Sequence, residues 1–237
     1  MKKKLRLLLL SAGIIVSGLF LSERFFSNSV QGTGGGRGSI TLPSPKHRGK
    51  VSLEETIFKR RATRVYKNEP LTLDEVSQLL WAAGGKTIDG ITGATRSYPS
   101  AGGLYPLEIY LVAGKVDGLA SGIYHYNWER HTINRVKGGD LREQLTLAAL
   151  GQKAVANAPI SIVITAVYSR TTRKYGKRGE VRYVPMDMGS AGQNIHLQAE
   201  ALGLGTGIIG AFEDEAVERV LGVKEETPLY IMPVGRK

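Results

Sequence analysis

Between Pro99 and Pro106 the sequence runs Ser-Ala-Gly-Gly-Leu-Tyr and then passes directly into Leu107 to Ala113, an apolar run of strand character. A loop so poor in side chains lets backbone N–H groups approach a flat or phosphorylated ligand, because nothing stands between them and it. The strand that follows carries one charged residue, Glu108, and must be buried. A glycine-rich turn ahead of a strand has the same composition without any ligand, so the segment takes its meaning from what accompanies it.

Two other segments do so. Upstream lies Arg60-Arg61-Ala62-Thr63-Arg64, in which Arg60 and Arg64 stand four apart and Arg61 and Arg64 three apart. In a helical turn that spacing lets guanidiniums converge on one anion, and the planar fork of arginine suits phosphate. Cations at a helix C-terminus also complement the macrodipole without binding anything. Downstream, Gln193-Asn194 leads to Gly203-Leu204-Gly205-Thr206-Gly207-Ile208-Ile209-Gly210, which reads as a helix, a tight turn and a short strand at 208–211.

The chain of 237 residues is long enough for one domain with an appendage. Its 42% hydrophobic and 22% charged residues describe a globular core rather than disorder. Without cysteine there is no disulfide, thiolate nucleophile or iron–sulfur cluster. The histidines at 47, 125, 131 and 196 show no metal spacing, so no metal site is expected. The net charge of +11 is partly supplied by Lys2, Lys3, Lys4 and Arg6 and is otherwise scattered, so a nucleic-acid partner is not expected.

Those N-terminal cations precede Leu7 to Leu21, a largely apolar run without an acid. Residues 1–26 therefore read as a signal peptide or N-terminal membrane anchor, with the domain exported or held outside the cytoplasm. Residues 27–50, rich in glycine and proline, read as a flexible linker, and 51–237 as the working domain. Ser52-Leu53-Glu54-Glu55 and Thr72-Leu73-Asp74-Glu75 have the form of capping boxes and start helices ending near Arg60 and Gly84. Strands are expected at 107–113, 122–126, 131–136, 159–167 and 229–234, and helices at 140–150, 184–202 and 213–221. Helices and strands are interleaved without strict alternation, which predicts an α+β sheet covered by helices.

The order and spacing of the three segments resemble the flavin-binding nitroreductase family over nearly all of 51–237. The resemblance implies a central, mostly antiparallel sheet with FMN at a homodimer interface. It places Arg60, Arg61 and Arg64 on the phosphate, ribityl chain and pyrimidine edge, with Ala62 where a serine is usual. It lays Ser100, Ala101, Gly102 and Gly103 along the flavin, sets Tyr105 near the partner subunit, and aims the N–H of Ile209 or Gly210 at the flavin N5. Arg236 is implied as a further neutraliser of the phosphate.

The stretch Arg173-Lys174-Tyr175-Gly176-Lys177-Arg178-Gly179 is similar to one in the SagB-type dehydrogenases, a branch whose members include oxidases of peptide azolines. This likeness implies that Lys174 and Tyr175 take part in proton removal, a role a lysine fills only where its surroundings weaken its hold on the proton. A solvated basic loop is the plainer reading of the same residues. The implied activity moves two electrons as hydride through flavin N5, on a small-molecule or peptide-derived redox substrate with NAD(P)H as candidate donor. The rival reading is a membrane-tethered basic binding module that keeps the scaffold without redox turnover.

Overall fold

The computed structural model describes residues 38–90 and 93–237. The expected signal or anchor at 1–26 and the linker up to Arg37 lie outside the described residues. Among those described, no helix is long and apolar enough to cross a membrane.

Seven strands form one sheet in the order β1 (Ser39–Thr41), β6 (Thr132–Gly138), β5 (Gly122–Asn127), β4 (Leu107–Ala113), β7 (Ile160–Ala166), β9 (Thr227–Arg236) and β8 (Leu204–Thr206), and every paired neighbour is antiparallel. At its centre β4 (Leu107–Ala113) pairs along its whole length with β7 (Ile160–Ala166). Alternation along β4 divides the core. Leu107, Ile109, Leu111 and Ala113 pack with Leu79, Leu80 and Ile195 of helices α2 (Leu73–Gly84) and α6 (Val184–Ala201). Tyr110 and Val112 pack on the other face with Leu145, Val217 and Leu221 of α3 (Arg142–Ala148) and α7 (Asp214–Leu221). With both faces covered, β7 is buried at every position, which is why it reads as an unbroken apolar run.

Both N-caps place their helices as expected, but only Thr72 forms the full capping box, since the Glu55 side chain turns to Lys59. The Ser52 side chain accepts from Glu55 N at the start of α1 (Leu53–Lys59), and at α2 Thr72 and Glu75 cap each other's backbone at 3.2 and 2.8 Å. The hairpin of β5 (Gly122–Asn127) and β6 (Thr132–Gly138) and the long β9 (Thr227–Arg236) also stand where the pattern puts strands. A second hairpin, β2 (Lys86–Gly90) with β3 (Gly93–Arg96), and the short α4 (Lys153–Asn157) were not legible.

Three expectations are corrected. The last part of the expected linker, 38–50, is held on the domain: β1 (Ser39–Thr41) pairs with the free edge of β6, and Leu42 is buried. The Gln78 side-chain amide then brackets Lys46, accepting from its N–H at 2.8 Å and donating to its carbonyl at 3.0 Å. The strand expected at 208–211 falls earlier, at β8 (Leu204–Thr206), and Ile209 reaches β9 only through a single bridge to Ile231. The basic stretch after β7 is helical rather than a loop, forming α5 (Tyr168–Tyr175) and, past a reversal at Gly176, a π-helical turn over Gly179–Tyr183 that runs into α6.

Replacing Gln78 by Ala removes both bonds to Lys46 and one to Gln198, and loosens the 46–50 end of the strap while β1 and the Ser77 and His131 contacts to the Pro43 carbonyl stay. At about 1 kcal/mol for each net hydrogen bond, the melting temperature should fall by roughly 4–8 °C. Trypsin should cut after Lys46, Arg48 and Lys50 several-fold faster than in the parent protein.

Candidate functional site

α1 ends at Lys59, and Arg60 leaves it at φ −54°, ψ 123°. Arg60 to Arg64 are therefore outside the helix, and the helical spacing that would converge them does not operate. The segment is held instead along the edge of β8: Thr63 N–H donates to the Thr206 carbonyl at 2.8 Å, and Ala62 bridges Thr206 in parallel. Gly205 makes this approach possible, since a Cβ there would lie 2.6 Å from Thr63 Cγ2. Tyr66 fastens the turn by donating to the carbonyls of Thr63 and Pro233, at 2.6 and 3.1 Å. Burial raises the affinity of that phenol for its proton, against the pull of Arg64.

Among the described residues the guanidiniums of Arg60, Arg61 and Arg64 have neither a carboxylate partner nor a hydrogen bond. Arg60 is half-buried near His196, whose imidazole is pushed below its ordinary value by burial and then by that guanidinium. Arg61 and Arg64 are exposed. Arg236 behaves differently: it donates to both carboxylate oxygens of Glu75 at 3.0 Å and lies 3.5 Å from Glu69. Its charge is matched, so it is withdrawn as an anion ligand. Ile209 is withdrawn as a free donor too, because it is 3% exposed and its N–H is taken by the Ile231 carbonyl at 2.9 Å. Gly210, one residue on, is exposed, has open space where a side chain would stand, and makes no backbone hydrogen bond among the described residues.

The small-residue loop bends through positive φ at Gly102 (65°), Gly103 (66°) and Tyr105 (45°). Ser100 is its latch. Its hydroxyl donates to Asp187 Oδ2 at 2.5 Å and accepts from Tyr105 N at 2.9 Å, so its one hydrogen is engaged inside the protein rather than offered to a ligand. Asp187 also accepts from the Ala101 backbone. This aspartate sits in the first turn of α6, is 3% exposed, and is pushed up to about 6 by burial, against the hydrogen bonds from Ser100 and Ala101 and the charge of Arg96. Sequence reasoning missed it. Its one signal was a lone acid in the first turn of a helix whose neighbours are apolar or small.

α5 brings two more side chains to the loop. A Cβ on Gly102 would lie 2.7 Å from Tyr175 Oη and 3.1 Å from Lys174 Nζ, so the absence of a side chain gives both their place. One turn earlier Arg170 meets Glu108 at 2.5 Å and donates to the Tyr105 carbonyl at 3.2 Å, which orients the helix. Burial alone would raise the Glu108 carboxyl, but His125 at 2.6 Å and Arg170 hold it below its ordinary value. The buried Arg96 donates to the carbonyls of Gly84 and Leu107 and lies 5.2–5.6 Å from the rings of Tyr98, Tyr105 and Trp128. A cleft of about 820 Å³ opens beside these elements, between the strap, α1, α2 and α6, with Trp81, Asn194 and Ser97 in its wall.

The predicted residues thus gather into two sets. One holds Arg60, Arg61 and Arg64 around the Ala62–Thr63 contact with the β8 edge; the other holds Ser100 to Gly103 with Lys174 and Tyr175 at the start of β4, and Gly210 stands beyond the Ile209–Ile231 bridge, tied to neither. Among the described residues no hydrogen bond or ion pair joins the sets within a protomer.

The sequence profile of the nitroreductase family matches residues 57–236. A Methanocaldococcus jannaschii chain named as a nitroreductase is 47% identical over 188 residues, covering 79% of this chain and 92% of its own. A trifolitoxin-processing protein of Rhizobium leguminosarum is 27% identical over 221 residues, 85% of this chain and 57% of its own. The crystal structure of an Anabaena variabilis chain named as a nitroreductase superposes with a TM-score of 0.72 at 31% identity, over 84% of this chain. This chain spans only 42% of that one.

Arg236→Gln should separate structural from ligand-binding arginines. Loss of charged hydrogen bonds to a partly buried carboxylate costs roughly 1.5–3 kcal/mol, a fall in melting temperature of about 3–12 °C for a domain of this size. Affinity for a phosphorylated ligand at Arg60 and Arg64 should stay within about twofold of the parent's by titration calorimetry.

Proposed function

The chain belongs to the nitroreductase family, and from that premise we propose that it works as an FMN oxidoreductase of the SagB-type branch, with Lys174 and Tyr175 handling a proton beside the small-residue loop. The chain is a flavin-dependent oxidoreductase and FMN is its cofactor. The observation that carries the finer reading is the placement of Lys174 Nζ and Tyr175 Oη against Gly102.

The residues present fit that cofactor. Three guanidiniums without counterions among the described residues match a phosphate, and the N–H groups of Gly210 and Gly102 suit the edge of a flat ring, those of Ala101 and Gly103 being engaged by Asp187 and the Ser100 carbonyl. When bound, FMN supplies two-electron hydride chemistry at its ring N5. The protein's own share is to neutralise the phosphate with Arg60, Arg61 and Arg64, to present the bare loop, and to hold or move a substrate proton at Lys174 Nζ and Tyr175 Oη. Tyr175 is steadied for this by its edge contact with Tyr183, 4.8 Å between centroids.

A second copy of the chain supplies the loop to the arginine set. Support comes from the exposed apolar residues Leu53, Ile57 and Phe58 on α1, the last 88% exposed. NAD(P)H is the donor proposed, and a small-molecule or peptide-derived compound the substrate. The likeness to a trifolitoxin-processing protein favours a peptide-derived one. The basic and apolar N-terminal run supports a domain held outside the cytoplasm.

Arg60→Ala combined with Arg64→Ala should weaken FMN binding at least 100-fold, read by recovery of flavin fluorescence, because charged bonds to the phosphate are lost. Unchanged affinity would remove both from the site. Lys174→Ala should keep FMN binding within about threefold while lowering kcat by roughly 100-fold or more. A variant that loses its flavin instead would make Lys174 structural.

A further inference from the structure

The Ser100 hydroxyl has one hydrogen, and that hydrogen is held by Asp187. Its two lone pairs receive one further bond, from Tyr105 N at 2.9 Å. While Asp187 is ionised it can only accept, so the hydrogen must point inward and Ser100 turns no donor toward the open side of the loop. Once Asp187 carries a proton the bond can reverse without moving a heavy atom. Asp187 then donates to Ser100 Oγ, which still accepts from Tyr105, and the serine hydrogen is released to face a ligand.

We propose that Asp187 is a positioning residue which sets the direction of the Ser100 hydrogen, so that FMN binding along the Ser100–Gly103 loop takes up a proton at Asp187. The proposal rests on the flavin reading above. The proton comes from solvent and stays on the carboxyl; no covalent bond is made or broken elsewhere.

The surroundings favour such a switch. Asp187 is 3% exposed and burial raises it to about 6, within reach of neutral pH. Arg96 from β3 faces it and favours the charged form, but that guanidinium is also bound to two carbonyls and boxed by three rings. Tyr98 beside it is kept neutral by burial, and its hydroxyl is buried without a partner. Lys174 and Tyr175 of α5 reach Gly102, two residues along the loop from Ser100. A polar wall that is already neutral at Tyr98 and fixed at Arg96 leaves Asp187 as the group free to change charge.

The test compares FMN binding by apoprotein of the parent, Asp187→Asn and Ser100→Ala between pH 5 and 8.5, with calorimetry in two buffers of different ionisation heat. Titration of the FMN phosphate is common to all three and cancels. An asparagine amide donates to Ser100 Oγ as the protonated acid would. Asp187→Asn should therefore bind at pH 8 at least tenfold tighter than the parent, match it at pH 5, and take up close to one proton fewer. Ser100→Ala should likewise lose the extra proton uptake. Equal pH profiles and equal uptake in the parent and Asp187→Asn would overturn the proposal, as would persistence of the uptake in Ser100→Ala.

A ligand-free reading separates this failure from failure of the flavin assignment. Asp187 is raised from an ordinary 3.8 to about 6, so the folded protein holds this proton more tightly than the unfolded chain. Stability should then fall as pH rises from about 4 to about 6, and Asp187→Asn should abolish that fall. If the fall is present but no variant binds FMN at any pH, the flavin reading is what fails; if Asp187→Asn melts in parallel with the parent throughout, Asp187 does not titrate and the switch is refuted.

Discussion

The missing side chain at Gly205 is the constraint on which the arginine set rests. Only a bare α-carbon lets Thr63 come close enough for its N–H to reach the Thr206 carbonyl. That bond, with the Tyr66 hydroxyl joining Thr63 to Pro233, turns the chain leaving α1 into an extension of the sheet edge. Gly102 does the same at the other set, making room at the loop for the ends of Lys174 and Tyr175. At Gly205 a β-carbon would press on the β-carbon of Thr63 and force that segment away, whereas at Gly102, where φ is 65°, it would displace only the ends of Lys174 and Tyr175.

The arginines show how little residue type alone decides. Arg236 is matched by Glu75, Arg170 by Glu108, and Arg96 by two carbonyls and three aromatic rings. Arg60, Arg61 and Arg64 have no such partners among the described residues. Three like charges within five residues repel each other and gain most from an anion brought from outside. Matched arginines build the scaffold. Asp187 gives the complementary case, a carboxylate whose hydrogen bonds hold the loop while its burial keeps the charge costly.

Much of the fold was legible because its signals are local. The N-caps at Ser52 and Thr72 and the alternating strand at Leu107 to Ala113 each depend on residues within a few positions of one another. The strap at 38–50 was not legible, since its order comes from Gln78, 32 positions from Lys46, and from the vacant edge of β6. The role of Arg236 depends on Glu75, 161 positions away. Ser100 looked like a ligand contact because its partner Asp187 lies 87 positions along the chain.

What the amino-acid order determined by itself was the set of available chemistries: no thiol, a concentration of guanidiniums, a loop without side chains and a Lys-Tyr pair. It also determined the helices and most strands, through short-range hydrogen bonding and apolar periodicity. Only the tertiary structure decided which of those groups stay unsatisfied. Long-range pairing withdrew Arg236, Ile209 and the Ser100 hydrogen and left Arg60, Arg61, Arg64 and Gly210 open. The reason is physical: a charge or donor is available for function only after every nearby partner has been counted, and those partners are fixed by folding.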